Sequence, residues 1–352
     1  MHKKVIAIAI AGAMAAPLAA QAGEAAIYGK MHVSVDVFDN DDTGAGNEDS
    51  STGVSSNSSR IGFKGSEDLG GGMKAVWQVE NDAKLTEDSG EWASRNSYAG
   101  LSGGFGTVLI GNHDTPLKDI RVDFFGDTIG DNRAVLGLEE KVDMRTGNTI
   151  AYVSPSMNGL EFIGAYVTDT DKGTEDNNDN DAFSASLTYD AGPLSLGGAY
   201  QTVSEAASDE DVDTWRITAG YEMGAVEVGA LWQSNANEGH NDGKDRDFWS
   251  IGAAFGMGNN TLKAQYAVAD EHDDYATVSG DETGATKWAI GLDHKMSKKT
   301  KLYAIYSSLD NDDGQNVSLT NNTGHGDAGP NAGSIVAGSD PSAFSVGMVH
   351  KF

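Results

Sequence analysis

The chain of 352 residues has no cysteine, only 6 prolines, and 24 Lys and Arg against 53 Asp and Glu. Without cysteine there is neither a disulfide framework nor thiolate chemistry, so the fold must rest on hydrogen bonding and packing. Scarce proline beside 45 glycines argues against a Pro-rich disordered chain and suits tight turns and small interior positions. A formal charge of −29 repels phosphate and excludes electrostatic binding of nucleic acid. Past the first two dozen residues, no apolar run approaches the roughly 20 residues that a membrane-spanning helix needs.

What is present begins with an export signal. Met1-His2-Lys3-Lys4 is a basic head, Val5 to Leu18 an apolar run, and Ala20-Gln21-Ala22 an A-x-A cleavage site. The apolar run is too short to anchor the chain in a bilayer. Residues 1–22 therefore read as a cleaved leader and 23–352 as one mature domain. Losing Lys3 and Lys4 takes the charge to −31.

From Ile27 to the terminal Phe352 the sequence alternates apolar and polar residues in segments of ~8–11 residues, the length of a tilted membrane strand. About sixteen such segments stand out, near 26–38, 58–65, 72–80, 92–101, 106–113, 148–155, 159–168, 182–190, 193–203, 212–222, 225–234, 246–256, 260–269, 285–294, 300–309 and 343–352. Short turns such as Ala191-Gly192 and Met223-Gly224 alternate with long polar loops at 39–57, 81–91, 114–147, 169–181, 203–211, 235–245, 270–284 and 310–341. That rhythm predicts an all-β, antiparallel up-and-down barrel with one plain rim and one elaborate rim, crossing a membrane. A negative mean hydropathy (−0.39) is compatible with it, since lumen positions are polar.

One phase of these segments carries Phe162, Tyr166, Trp215, Ile217, Trp249, Ile251, Phe255, Trp288, Ile290, Phe344, Val346 and Met348, none charged. The opposite phase holds Glu161, Arg216, Glu222, Glu227, Lys263, Lys287, Asp293 and Lys301. A charge on the lipid face at mid-bilayer costs ~2–4 kcal/mol, so the first set should face lipid and the second the lumen. Aromatic residues near segment ends, among them Trp92, Tyr152, Tyr189, Tyr221, Trp232, Phe255 and Phe352, suit interfacial girdles.

Several stretches resemble the general porins of Gram-negative bacteria, the trimeric sixteen-stranded family of proteobacteria. They are Ile27-Tyr28-Gly29-Lys30; the run from Ser59-Arg60-Ile61-Gly62-Phe63-Lys64-Gly65 through Glu67-Asp68-Leu69-Gly70-Gly71 to Lys74-Ala75; Arg95-Asn96-Ser97-Tyr98-Ala99-Gly100-Leu101; Asn148 to Pro155; Met296 to Tyr303; and Val346 to Phe352. The resemblance implies a passive, water-filled diffusion channel in the outer membrane, built as a homotrimer. It implies contact with outer-membrane lipids and lipopolysaccharide, and recognition of Phe352 by the assembly machinery. It also implies that the third long loop, Asp114 to Gly147, folds into the lumen. That loop carries Leu117, Ile120, Val122, Phe124, Phe125, Val135, Leu136 and Leu138, so it can pack against the wall. Members of the family often carry Arg where this chain has Asn112, so one expected positive charge is missing.

A porin selects by pore width and by the field across its narrowest section. Arg60, Lys64, Lys74 and Arg95 share the inward phase, with Lys30 beside them, and by resemblance form a basic wall. They would face carboxylates of the third loop, drawn from Asp114, Asp119, Asp123, Asp127, Asp131, Glu139, Glu140 and Asp143. The large negative charge and the absent Arg at Asn112 lead to an expected cation preference.

Other chemistries find little footing. Asp39-x-Asp41-x-Thr43-Gly44 starts like a calcium loop but has Ser50 where the twelfth, carboxylate ligand belongs, so no metal or other cofactor is expected. The seven His of the mature chain sit in no nucleophile-elbow or zinc pattern, so no enzyme activity is expected. His113, beside the inward loop, can line the pore. A substrate-selective channel, for a sugar, phosphate or organic acid, stays open as an alternative, with Tyr303 and Phe38 as inward aromatics. A surface barrel without a transport role is the other.

Overall fold

The computed structural model describes residues 25–41, 50–86, 92–136, 141–170, 181–205, 210–237, 245–272, 283–321, 323–326 and 335–352. The expected leader at 1–22, Leu138, Glu139, Glu140 and most of the acidic stretch 175–181 lie outside the described residues, as does Asp209.

The strands are β1 (Ala26–Asp39), β2 (Ser50–Ser56), β3 (Arg60–Gly70), β4 (Met73–Asp82), β5 (Ser97–Gly103), β6 (Gly106–Asp114), β7 (Arg145–Val153), β8 (Leu160–Val167) and β9 (Ala182–Ala191). They continue as β10 (Leu194–Glu205), β11 (Glu210–Met223), β12 (Val226–Asn237), β13 (Arg246–Met257), β14 (Asn260–Ala269), β15 (Ala285–Lys295), β16 (Thr300–Asn311) and β17 (Ser342–Lys351). Neighbours in sequence pair antiparallel. β17 returns to β1 in a register running from Lys30↔Lys351 to Asp39↔Ser342. The sheet is thereby closed. Closure matters because hydrocarbon offers no partner to an unpaired N–H or C=O.

Seventeen segments occupy sixteen barrel positions. β2 and β3 are two halves of one position, since both pair with β1, β2 along Val33–Asp39 and β3 along Ala26–Lys30. The second strand thus begins at Ser50 rather than at 58, and the break at 57–59 includes Ser58 with φ 46°. Its upper half, Ser-Ser-Thr-Gly-Val-Ser-Ser, lacks the apolar alternation that marks the others, and backbone pairing alone places it. β5 begins at Ser97 rather than 92, which leaves Trp92 and Arg95 in the preceding loop.

The two faces fall as the alternation predicts. Trp215 and Ile217 are 55% and 56% exposed on the outer surface, while Arg216 between them is 2% exposed inside. The same contrast holds for Ile251, Trp288, Ile290, Phe344 and Val346 outside and for Ser250, Lys287, Ala289 and Ser345 inside. Three of the plain-rim hairpins, at Gly192, Gly224 and Gly258, have two-residue loops whose first residue alone has positive φ (+60°, +64° and +63°). Glycine at that position is what the II′ hairpin turn requires.

Ile251→Lys should lower the unfolding free energy in phospholipid vesicles by ~2–4 kcal/mol in a urea titration. Ile27→Lys, beside the plain rim, should cost only about 0–1 kcal/mol.

Candidate functional site

Between β6 and β7 the chain turns into the barrel, forming two short helical turns, α1 (Pro116–Asp119) and α2 (Arg133–Leu136). Leu117, Ile120, Val122, Phe124, Phe125, Val135 and Leu136 are all buried, so the third loop does pack inside, as its apolar residues predicted. The segment 119–124 is two-faced. Ile120, Val122 and Phe124 point at the wall, and Asp119, Arg121 and Asp123 lie on the other edge, partly exposed.

The wall meets the apolar edge with glycines. A Cβ at Gly197 would lie 3.1 Å from Ile120, and one at Gly229 would lie 2.6 Å from Val122. One at Gly252 would overlap the Phe124 ring, and one at Gly291 would come 2.8 Å from Phe125. Four strands, β10, β12, β13 and β15, thus give up a side chain where the loop needs room. Each apolar side chain so buried contributes roughly 1.5–3 kcal/mol.

The loop backbone is held by wall side chains, because its carbonyls have no ladder partner. Arg216 donates to Leu117 O (3.0 Å) and Ile120 O (3.3 Å) and pairs with Asp143 (3.0 Å). Lys263 Nζ donates to Phe124 O at 2.8 Å and Lys287 Nζ to Asp131 O at 2.9 Å. Gln233 donates to Leu136 O, and Gln201 to Lys141 O and Val142 O. Three inward cations of the sequence are therefore consumed as loop clamps rather than left as pore charges.

On the opposite side, Tyr28, Gly62 and Glu80 are cross-strand neighbours, and so are Lys30, Arg60 and Asp82, and Ala26, Lys64 and Gln78. Arg60 and Lys64 face the lumen. Arg95 reaches it from the loop before β5, bonded to Glu80 (2.7 Å) and Asp82 (2.8 Å), while Arg60 is 3.8 Å from Glu80. Lys64 Nζ stands 5.1 Å over the Tyr28 ring. Lys74 shares the phase but opposes Asp68 beside the Gly70–Gly72 turn, roughly 26 Å along the strand from Arg60 at about 3.3 Å per residue. It stands at the plain rim, away from the loop. Asn112, where the family's Arg is missing, donates to Arg95 O (3.1 Å) and steadies the Arg95 segment.

The loop carboxylates divide into three groups. Asp127 meets the wall directly: Lys30 Nζ is 2.6 Å from it and Arg133 3.1 Å, and Arg133 also binds Asp131. Burial pushes the Asp127 carboxyl up, but Lys30 and Arg133 outweigh it and hold the group well below the carboxylate range. Asp114 is tied to Lys118 (3.1 Å) and Arg145 (3.0 Å) at the end of β6, where its backbone N–H donates to Asn96 Oδ1 next to Arg95. Asp119 and Asp123 have no ion pair within 4 Å among the described residues. Burial, reinforced by Asp114, pushes Asp119 up to about 8. Burial and Asp131 push Asp123 up to about 7.

A second loop folds inward, where the polar sequence of 310–341 predicts an outer loop. Val317 and Leu319, between β16 and β17, are 2% and 1% exposed, and the His325 ring packs edge-on to Phe38. Tyr303 and Phe38 do face inward as predicted, yet both are buried, Tyr303 against His32 and Phe38 against His325, so they form no open aromatic track. His113 is buried against Tyr98.

Residues 6–314 match the family described as Gram-negative porin. The chain belongs to that family. Among its relatives is the major outer membrane protein P.IB of Neisseria meningitidis serogroup B, 28% identical over 332 residues, covering 90% of this chain and 96% of the relative. The outer membrane porin protein 32 of Delftia acidovorans is 29% identical over the whole of both chains. Of solved structures, the anion-selective porin from Comamonas acidovorans superposes with a TM-score of 0.77 at 25% identity, over 94% of this chain and 99% of that one. The trimer form of OmpT of Vibrio cholerae (TM-score 0.66, 17% identity, 94% of this chain and 100% of that one) shares the fold. This porin is a multi-pass β-barrel of the outer membrane and a diffusion channel there, and its family and fold point to a channel rather than an enzyme. The expected cation preference gains no support: the solved porin just named is anion-selective.

Gly252→Val should drive Phe124 and the third loop off the wall and lower single-channel conductance by roughly a factor of two. Gly256→Val, four residues along the same strand with only Ala225 O at 3.6 Å, should leave it unchanged.

Proposed function

We propose that this porin passes small hydrophilic solutes and ions down their gradients as a homotrimer, with a preference for anions that strengthens as pH falls. The observation that carries the selectivity is the pairing state of the charges at the narrow section. Lys64 and Arg121 have no carboxylate within 4 Å among the described residues, and Arg60 shares a Glu80 already bonded to Arg95 and Tyr28. On the same loop edge as Arg121, Asp119 and Asp123 are carboxyls raised to about 8 and about 7. The basic wall of Arg60, Lys64 and Arg95, with Arg121 added from the loop, therefore dominates the local field. Any charge more than a Debye length from the narrow section (about 8 Å at physiological salt) contributes little there.

In the cell, the reading includes removal of the leader at 1–22 and a belt of lipid and lipopolysaccharide around the apolar surface. The exposure of Phe352, 39% beside Gly29 at the seam between β17 and β1, supports reading it as the residue that the assembly machinery recognises.

The sign of the pH effect follows from the raised carboxyls. Well above 8 both are ionised and offset the wall; well below 7 both are neutral and the wall acts alone. Reversal potentials in a potassium chloride gradient should show the chloride-to-potassium permeability ratio rising as pH falls through that window. The Asp119→Asn, Asp123→Asn double variant should hold the acid-side ratio at every pH. Potassium crossing faster than chloride at neutral pH would sink the proposal.

A further inference from the structure

The outer surface carries opposite charge at the two rims. Beside the elaborate rim the outward phase ends in aspartates, among them Asp213, Asp247, Asp270 and Asp310, each in line with the apolar residues of its strand. Beside the plain rim, the hairpin between β15 and β16 is basic. Four of the seven residues from Lys295 to Lys301 are lysine, in a chain whose formal charge is −29. Lys295, Lys298 and Lys299 are exposed and have no carboxylate within 4 Å among the described residues. The nearby Asp293 faces the lumen, where Lys301 (2.8 Å) and Lys263 (3.2 Å) hold it.

The lysines are held on a fixed turn. Ser297 Oγ accepts from Lys299 N (3.2 Å) and Thr300 N (3.0 Å), and Lys299 O accepts from Lys351 N (2.8 Å), so the tip is pinned to β17. Lys295 and Lys301 are direct cross-strand partners. Like charges so placed destabilise a ladder, and Asp293 compensates Lys301 alone. Local conflicts of this kind mark functional positions, and a bound anion would relieve this one.

The surroundings of the tip select the kind of anion. On the outer face next to it, Leu292, Leu302 and Met348 are exposed in the phase that faces hydrocarbon. His294 and His350 follow in that phase, bonded to Asn260 (2.7 Å) and Thr300 (2.9 Å). Met296, 59% exposed, and the lysine tip come last. Apolar side chain, then imidazole, then ammonium matches the order of acyl chain, interface and headgroup in a bilayer leaflet. Short hairpins of outer-membrane barrels lie on the periplasmic side. We infer that the β15–β16 hairpin holds an anionic phospholipid of the periplasm-facing leaflet, its phosphate at Lys298 and Lys299 and its acyl chains on Leu292, Leu302 and Met348. The inference rests on the lipid belt proposed above and adds a headgroup-selective site to it.

Native mass spectrometry of the purified porin, released from vesicles of equal phosphatidylglycerol and phosphatidylcholine, tests it. The wild type should retain phosphatidylglycerol in roughly threefold excess. Potassium chloride at about 1 M, where the Debye length is about 3 Å, should remove most of that excess. The Lys298→Gln, Lys299→Gln double variant should bring the ratio to about one, while Lys74→Gln, beside the β3–β4 turn of the same rim, should leave the excess unchanged. Resistance to detergent confirms that each variant is folded, and if the double variant does not fold, the salt effect on the wild type decides alone. Equal retention by the wild type, or an excess that survives in high salt or in the folded double variant, overturns the inference and leaves the lipid belt intact. Block of the pore by tripolyphosphate added on the plain-rim side, without any lipid preference, assigns the lysines to a soluble polyanion and likewise overturns it. Retention of neither lipid overturns both.

Discussion

Every structural choice in this chain answers to the backbone hydrogen bond in hydrocarbon. Each N–H and C=O inside the bilayer must find a partner within the protein, because a lipid tail offers none. A closed antiparallel sheet meets that demand, and closure in turn creates an inside and an outside with opposite requirements. The period-two sequence pattern is the imprint of those two requirements on alternate residues. It explains why Trp215 and Ile217 tolerate 55% and 56% exposure while Arg216 between them is enclosed.

The same demand recurs at smaller scale in the lumen. A loop that leaves the ladder loses its backbone partners, and here wall side chains replace them: Arg216, Gln233, Lys263 and Lys287 all end on loop carbonyls. Cations that a count of the sequence would assign to ion conduction are thereby bound to loop carbonyls, Arg216 and Lys263 also to Asp143 and Asp293, and buried. The charges that remain exposed to permeating ions are fewer and of mixed sign. Selectivity becomes a property of a handful of neighbours within a Debye length, not of the whole chain's charge.

The barrel, its strand directions and the inward third loop were legible from alternation, turn residues and one apolar loop. The basic wall at Arg60, Lys64 and Arg95 was legible from phase, whereas the depth of Lys74 along its strand was not, since phase says nothing about depth. The Ser-Ser-Thr-Gly-Val-Ser-Ser half-strand escaped because only Val54 meets the outside as a large apolar residue. The last loop escaped because Val317 and Leu319 are two apolar residues in a long polar stretch, and the Lys287 ammonium that binds Leu319 O lies 32 residues earlier. The clamping role of Arg216 and Lys263 had no local signal. It exists only because a distant segment presents carbonyls to them.

The seam between β1 and β17 has a kinetic consequence. All other pairings join strands adjacent in sequence, so hairpins can zip one after another. The seam alone brings together residues at opposite ends of the chain, Lys30 with Lys351. Confining a loop of that length costs about 5 kcal/mol of chain entropy, to be recovered only once the Lys30–Asp39 ladder is in place. Insertion should therefore pause at an almost complete, unsealed cylinder, and the rate of maturation should depend on these two strands more than on any of the others.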